Sequence, residues 1–395
     1  FSLDGLTDVG GNLEIYQNAA LTSFNLENVT NVGGDVEIYD LPALTSFELN
    51  NLSEVGGYMY INYNDMLTYF TIENLEVVGK EFEIYDNAVL DSFSLSSLMD
   101  VGAYFYISQN PALKSFDLDE LMSIEGYLDI SNNEVLGSLD LKSLEYVGGN
   151  LAIYTNAELL SFYIDELTDI GGNLSIYENA LLDSFVLSSL TDIGQNLYIY
   201  DNNKLTSSSL DSLTDIGEHL NMQSNGSLMS ISFDSLMNVG GYLYIYNRSV
   251  LTSVSLEALM TIGGYLSISQ NNELFTLTVD ALTSIGEYVN IYSNNEITSI
   301  SLDSLIEVGG LVYIYNHSSL TSLSLNSLVD VGGYLWIEGN GALTSFYLKS
   351  LEYVDGFIGI FDNASLCQSL VDALLTQMAE VGWSETSYTY SNASC

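Results

Sequence analysis

Residues 22–44 read TSFNLENVTNVGGDVEIYDLPAL, and residues 45–67, laid beneath them without a gap, read TSFELNNLSEVGGYMYINYNDML. The two segments agree at nearly every apolar residue and at both glycines, and the Val or Ile before the glycine pair returns every 23 residues from Val9 to Val354. Numbering one unit from Thr22, the pattern T-S-F-x-L-x-x-L-x-x-V-G-G-x-L-x-I-Y-x-N-x-x-L runs through Leu366 with no insertion, giving 15 full units behind a truncated first one. A unit this short cannot bury its own apolar face. Stacked copies can, and a fixed period of this size is the mark of a solenoid.

Each place in the unit has a physical reading. Places 3 and 5 (Phe24, Leu26) and places 15 and 17 (Val36, Ile38) alternate with polar neighbours, so period two predicts two short strands per unit, each with one buried face. Glycine holds place 12 in 14 of 16 units, with Glu125 and Asp355 as exceptions, which suits a corner needing either positive φ or close backbone approach. Asparagine holds place 20 in 13 of 16 units, the exceptions being Leu41, Arg248 and His317. Its amide can donate and accept along the stack and satisfy buried corner groups. Strands stacked in register lie about 4.8 Å apart, so sixteen turns predict a rod roughly 75 Å long with like residues in columns.

The segment L-x-I-Y-x-N-x-x-L resembles the core of leucine-rich repeats, and LTSVSLEALMTIGGYLSISQNNEL (residues 251–274) resembles the surface repeats of BspA-like bacterial proteins. The I-x-x-N-x-x-L spacing is also similar to that of receptor L-domains. The resemblance spans residues 1–366 and departs at place 20, where BspA-like units usually carry Cys and this chain carries Asn. It implies an all-β, right-handed parallel β-solenoid used for adhesion or recognition at the cell surface or outside the cell. It implies no particular ligand.

Composition narrows the function. Six Lys and Arg stand against 52 Asp and Glu, a net charge of −46 over 395 residues, which excludes the basic footprint of a nucleic-acid binder and disfavours an anionic membrane surface. With 29 Tyr and 15 Phe the chain is not an acidic disordered tail. No apolar run approaches the roughly 18 residues of a membrane span, and the first residues, FSLDGLTDVG, lack signal-peptide character. The two His, His219 and His317, lie about four turns apart and cannot share a metal or proton relay. His219 reads as a solvated face residue and His317 as a satisfied corner. No nucleophile or phosphate-binding motif is present, and an enzyme is not expected.

The pattern ends at residue 366. In the remaining 367–395, Leu370, Val371, Leu374, Leu375, Met378 and Val381 are spaced for one face of a helix covering the last turn. Both cysteines, Cys367 and Cys395, fall in this cap, where a disulfide is expected and an oxidising compartment follows. Phe1 already occupies place 3, which leaves the first turn open as an edge for end-to-end assembly.

Two surface features are candidate sites. Outward places 14, 16 and 18 hold 21 of the 29 Tyr, among them Tyr58, Tyr60, Tyr104, Tyr106, Tyr127, Tyr242, Tyr244, Tyr246, Tyr265, Tyr288, Tyr292, Tyr313 and Tyr315, with Trp336 and Phe361 in the same columns. A face of that kind stiffens a sheet by stacking, receives a neighbouring protein or stacks on sugar rings. Place 6 carries Asp211, Asp234, Glu257, Asp280 and Asp303 in succession, either a solvated acidic stripe or oxygen ligands for Ca²⁺. A uniform stripe does not provide the two unlike carboxylates of a glycosidase. Asn28, Asn51, Asn173, Asn225, Asn247, Asn316, Asn363 and Asn392 open glycosylation sequons, a number near chance in so Ser-rich a chain. The sequence therefore reads as an extracellular structural or adhesive repeat protein, contacting itself or other surface proteins through Phe1 and the Tyr face. A carbohydrate-binding surface module is the alternative.

Overall fold

A computed structural model describes residue 3 and residues 5–246 and 250–395. It shows a parallel β-solenoid of 23-residue turns with one C-terminal helix, as the repeat predicts. Each turn carries three short strands where the sequence pattern indicated two. In residues 45–67 these are Ser46–Glu48, Glu54–Val55 and Met59–Asn62. The two-residue strand before the glycines is too short for any alternation to betray it. Val55, Met59, Ile61, Leu67, Phe47, Leu49 and Leu52 all point inward and are buried, so every apolar place of the repeat serves the core.

The chain forms two compact units, residues 1–195 with 201–210, and residues 196–200 with 211–395. In the first, parallel four-residue strands run from Leu13–Tyr16 to Leu174–Tyr177, each residue paired with the one 23 positions on. Its place-3 phenylalanines stack ring on ring, Phe24, Phe47, Phe70, Phe93 and Phe116, with centroids 5.1–5.2 Å apart. Strand spacing sets that interval, so identical residues in register give a continuous aromatic core.

The same unit contains an unbroken amide ladder. The backbone N–H of Asn64 donates to the Asn87 side-chain oxygen (3.2 Å), and the relation repeats through Asn110, Asn133, Asn156, Asn179 and Asn202. Each of these side chains also donates back to the place-17 carbonyl of the preceding turn, as Asn87 does to Ile61 (2.8 Å). The residue just before each Asn adopts the left-handed conformation, for example Tyr63 (φ 57°), Asp86 (φ 52°) and Asn132 (φ 54°). That costs about 1–2 kcal/mol in a residue with a Cβ. The ladder hydrogen bonds hold it.

The repeat glycines lie outside the left-handed region and serve close approach instead. A Cβ on Gly56 would stand 2.6 Å from the Gly33 carbonyl oxygen, closer than real contacts allow. The corner reading of place 12 thus resolves in favour of backbone proximity, and positive φ belongs to place 19.

In the second unit the long strands run from Leu197–Tyr200 to Ile358–Phe361, and Ser387–Tyr388 adds a further parallel strand on Ile358 and Gly359. The cap is therefore a helix, Gln368–Glu380, followed by a returning strand. Val371, Leu374 and Met378 face the core. Leu370 and Val381, expected on that face, are exposed at 41% and 49%. Cys367 and Cys395 form the expected disulfide. Asn392 enters the ladder in place of a repeat residue: it accepts from the Asn363 N–H (3.3 Å) and donates to the Ile360 carbonyl (2.8 Å). The cap thus ends the stack chemically as well as sterically.

Candidate functional site

Strand pleating turns places 14, 16 and 18 outward, and the structure gathers many of the expected aromatics into stacks. In the first unit Tyr58 lies on Tyr60 (4.2 Å), and Tyr104 on Tyr127 (4.8 Å) with Tyr106 edge-on. In the second, His219, Tyr242, Tyr265 and Tyr288 stack in sequence at 3.8, 4.9 and 4.6 Å. Tyr292 stacks on Tyr315 (4.7 Å), Tyr315 on Tyr313 (3.9 Å), and Tyr244 on Tyr246 (6.0 Å). Because the rings cover one another, most are half-buried, and the face is a set of stacked runs rather than one continuous ladder. Burial, then the charge of Glu83, pushes the Tyr60 hydroxyl up to about 12; burial and neighbouring Tyr288 do the same for Tyr265. Phe1 lies outside the described residues.

The place-14 run stops at Leu311. Two turns further on, Gly359 leaves place 16 without a side chain. Between these breaks opens a cleft of about 220 Å³ lined by Leu311, Tyr313, Tyr334, Trp336 and Phe357. Tyr334 stacks on Phe357 (4.2 Å), whereas Trp336 meets Tyr313 and Phe357 at 70° and 67°. A Cβ at Gly359 would fit tightly, 3.3 Å from the Phe361 ring and 3.4 Å from the Trp336 ring. Glu338 sits at the edge, accepting from the Trp336 Nε1–H (2.7 Å) and the Tyr313 hydroxyl (3.3 Å). Burial, then the Glu338 charge, holds the Tyr313 phenol protonated up to about 12. Only Tyr313 and Trp336 of this group stood out in the sequence. Departures from the repeat, Leu311 and Gly359, were the signal that could have found the rest.

A larger trough, about 480 Å³, follows the glycine column of the second unit, with Asn238, Thr261, Ser284, Glu307 and Asp330 along it. It is open, and its floor is backbone.

The acidic stripe is spread along the surface. Asp211, Asp234, Glu257, Asp280 and Asp303 are all exposed, and among the described residues no group of three His, Cys, Asp or Glu side chains is placed to hold a metal ion. Neighbouring groups of the stack engage it: Ser232 and Ser255 donate to Asp234, and Ser324 and the Asn326 N–H donate to Asp303. Burial works against ionisation of Asp303, but these hydrogen bonds outweigh it and lower its pKa.

His219 is not the solvated residue expected. It is half-buried on Tyr242, and its Nδ1 accepts from the Tyr242 N–H (3.1 Å), the place that Asn150 and Asn196 fill by accepting from Asn173 and His219. His317 is a satisfied corner, completely buried. Of the sequon asparagines, Asn225 and Asn363 are buried in the ladder and inaccessible to a glycan, and Asn247 lies outside the described residues.

No family model matches the sequence, and no curated protein matches it. Among solved structures the chain is similar to a leucine-rich repeat protein from Bacteroides ovatus ATCC 8483, with 15% identity over 95% of this chain and 92% of that one and a TM-score of 0.29. It is also similar to the protein in a TLR13–ssRNA13 complex, with 12% identity over 98% and 83% of the two chains and a TM-score of 0.16. The solenoid stands on its own strand register.

Proposed function

We propose that this protein is a non-enzymatic, extracellular contact module that binds other copies of itself or other surface proteins through the aromatic side of its long strands. The observation that carries the reading is the stacked run His219, Tyr242, Tyr265 and Tyr288, which presents a flat, rigid, partly apolar strip across consecutive turns. Preordered rings lose little freedom on contact, and tyrosine is enriched in protein interfaces for that reason. The Cys367–Cys395 disulfide supports an oxidising location. No helix among the described residues is long and apolar enough to cross a membrane.

Sedimentation and electron microscopy of concentrated protein test the proposal, comparing wild type with Y242N/Y265N/Y288N. Asparagine already stands at place 14 in Asn150, Asn173 and Asn196, so the triple variant keeps its fold. Concentration-dependent association or filaments in the wild type, lost in the variant, is the expected result. Two monomers at every concentration would refute self-association and leave only contact with other surface proteins. A glycan array probed with the same pair tests the carbohydrate alternative, which a wild-type signal absent from the variant would establish.

A further inference from the structure

The cleft beside Leu311 differs chemically from the rest of the face. Its walls are π surfaces set nearly at right angles, and its lining offers almost no polar atoms to the hydroxyls of a sugar. A carboxylate stands at its edge. None of the chain's six basic residues lines it, in a chain of net charge −46. We propose that this cleft binds a free quaternary ammonium solute of about choline size. The proposal builds on the reading of this sheet face as a contact surface.

Three features argue for that ligand. A cation without N–H groups gains from ring faces and needs no hydrogen-bond acceptor, which matches walls made by Tyr313, Tyr334, Trp336 and Phe357. Glu338 accepts from both the indole and the phenol, which draws electron density onto those two rings while its charge attracts the ligand. Burial and Glu338 keep the Tyr313 phenol protonated throughout the physiological range, so that donation persists. The acidic surface also opposes any ligand whose ammonium is joined to a phosphate, which favours a free solute over a phosphocholine headgroup. The cleft exists because Leu311 is smaller than the Tyr288 and Tyr334 that flank it in its column and Gly359 has no side chain, so both openings are written in departures from the repeat.

The chain has two tryptophans, and their indole N–H resonances can be followed separately in the intact ¹⁵N-labelled protein, with W383F providing the assignment. Tetramethylammonium chloride, titrated against sodium chloride at equal ionic strength, is expected to shift the Trp336 signal saturably and leave Trp383 unmoved. L311Y restores the column residue and fills the cleft; it should abolish the shift while preserving the fold. E338Q keeps an acceptor for the indole but removes the charge, and should weaken binding about tenfold. A neutral isostere, 3,3-dimethylbutan-1-ol, should produce no saturable shift. Equal binding of that alcohol, an unchanged Trp336 signal, or undiminished binding by L311Y would each overturn the proposal. So would phosphocholine binding as tightly as tetramethylammonium. Self-association that persists through a failed titration would leave the contact-face reading intact and remove only the cation site.

Discussion

The Nδ1 of His317 lies 3.3 Å from the backbone nitrogen of Asn294, and its Nε2 lies 3.1 Å from the Ile291 carbonyl oxygen. These are the two partners an asparagine would have there: Asn294 accepts likewise from the Asn271 N–H (3.0 Å) and donates to Ile268 (2.9 Å). Imidazole reproduces the amide only as the neutral tautomer with Nδ1 free to accept and Nε2 protonated. A second proton on Nδ1 would end its bond from the Asn294 N–H, with only the Asn294 carbonyl oxygen, 3.1 Å away, to receive it.

Acid should therefore loosen this turn. Burial lowers the His317 pKa below its ordinary 6.5, opposed by the Asn294 and Ile291 carbonyl oxygens, which accept from the protonated ring. A histidine that is harder to protonate when folded contributes stability above the unfolded pKa, and that contribution is lost as pH falls from about 6.5 toward the folded value. Each unit of separation is worth about 1.4 kcal/mol. H317N should remove this loss. Because the carboxylates are the same in both proteins, the difference in denaturation midpoint between wild type and H317N isolates the imidazole; a difference that does not grow between pH 7 and 5 would contradict the account.

A methyl group on the glycine column should be costly. A Cβ at Gly263 would overlap the Gly240 carbonyl oxygen, whereas one at Gly137 meets nothing within 4 Å. G263A is expected to lose about 1–3 kcal/mol, the range for overpacking with a backbone shift. G137A should be neutral or gain up to about 1 kcal/mol through the unfolded chain. Glu125 occupies place 12 naturally, so one turn accommodates a side chain there. Urea denaturation of the two variants checks the contrast, and equal midpoints would count against close approach as the reason for glycine.

Truncating the phenylalanine column is the largest core perturbation expected. Phe70 is fully buried, with Phe47 at 5.1 Å on one side and Phe93 at 5.2 Å on the other. F70A leaves a cavity between two rings and should cost about 3–5 kcal/mol. F70L, which keeps most of the volume, should cost much less. Similar midpoints for F70A and F70L would show that stacking contributes little beyond occupied space.

Much of this was legible in the sequence because a repeat averages out local noise: Phe24, Phe47 and Phe70 declare a buried column together where one alone would not. The cap helix and the Cys367–Cys395 pair stood out because they leave the pattern. What remained hidden depends on partners rather than residue type. The left-handed place 19 carries Gln17, Asp40, Tyr63, Thr155 and Ser293, a mixture with no compositional trace, because the N–H of the following residue, even Leu41, is held by the next ladder Asn. His219 read as surface because its acceptor role exists only once Tyr242 stacks on it. The aromatic cleft was invisible for the opposite reason: periodicity directs attention to what recurs, and Leu311 and Gly359 matter by failing to.

Asn392 supplies the last prediction. It closes the ladder from outside the repeat, and the disulfide fixes the segment that carries it, Ala393 also donating its N–H to the Leu366 carbonyl (2.8 Å). N392A should leave the Asn363 N–H without its acceptor, at a cost of about 1–3 kcal/mol. Removing the bridge with C367S/C395S frees a segment closed over 28 residues and should cost about 3 kcal/mol on the chain-entropy account. Hydrogen exchange localises both effects. The Asn363 and Asn340 amides should lose protection first, while Asn294, three turns away from the cap, stays protected. If protection falls evenly along residues 211–366 instead, the second unit opens all at once and the cap is not a separable closing element.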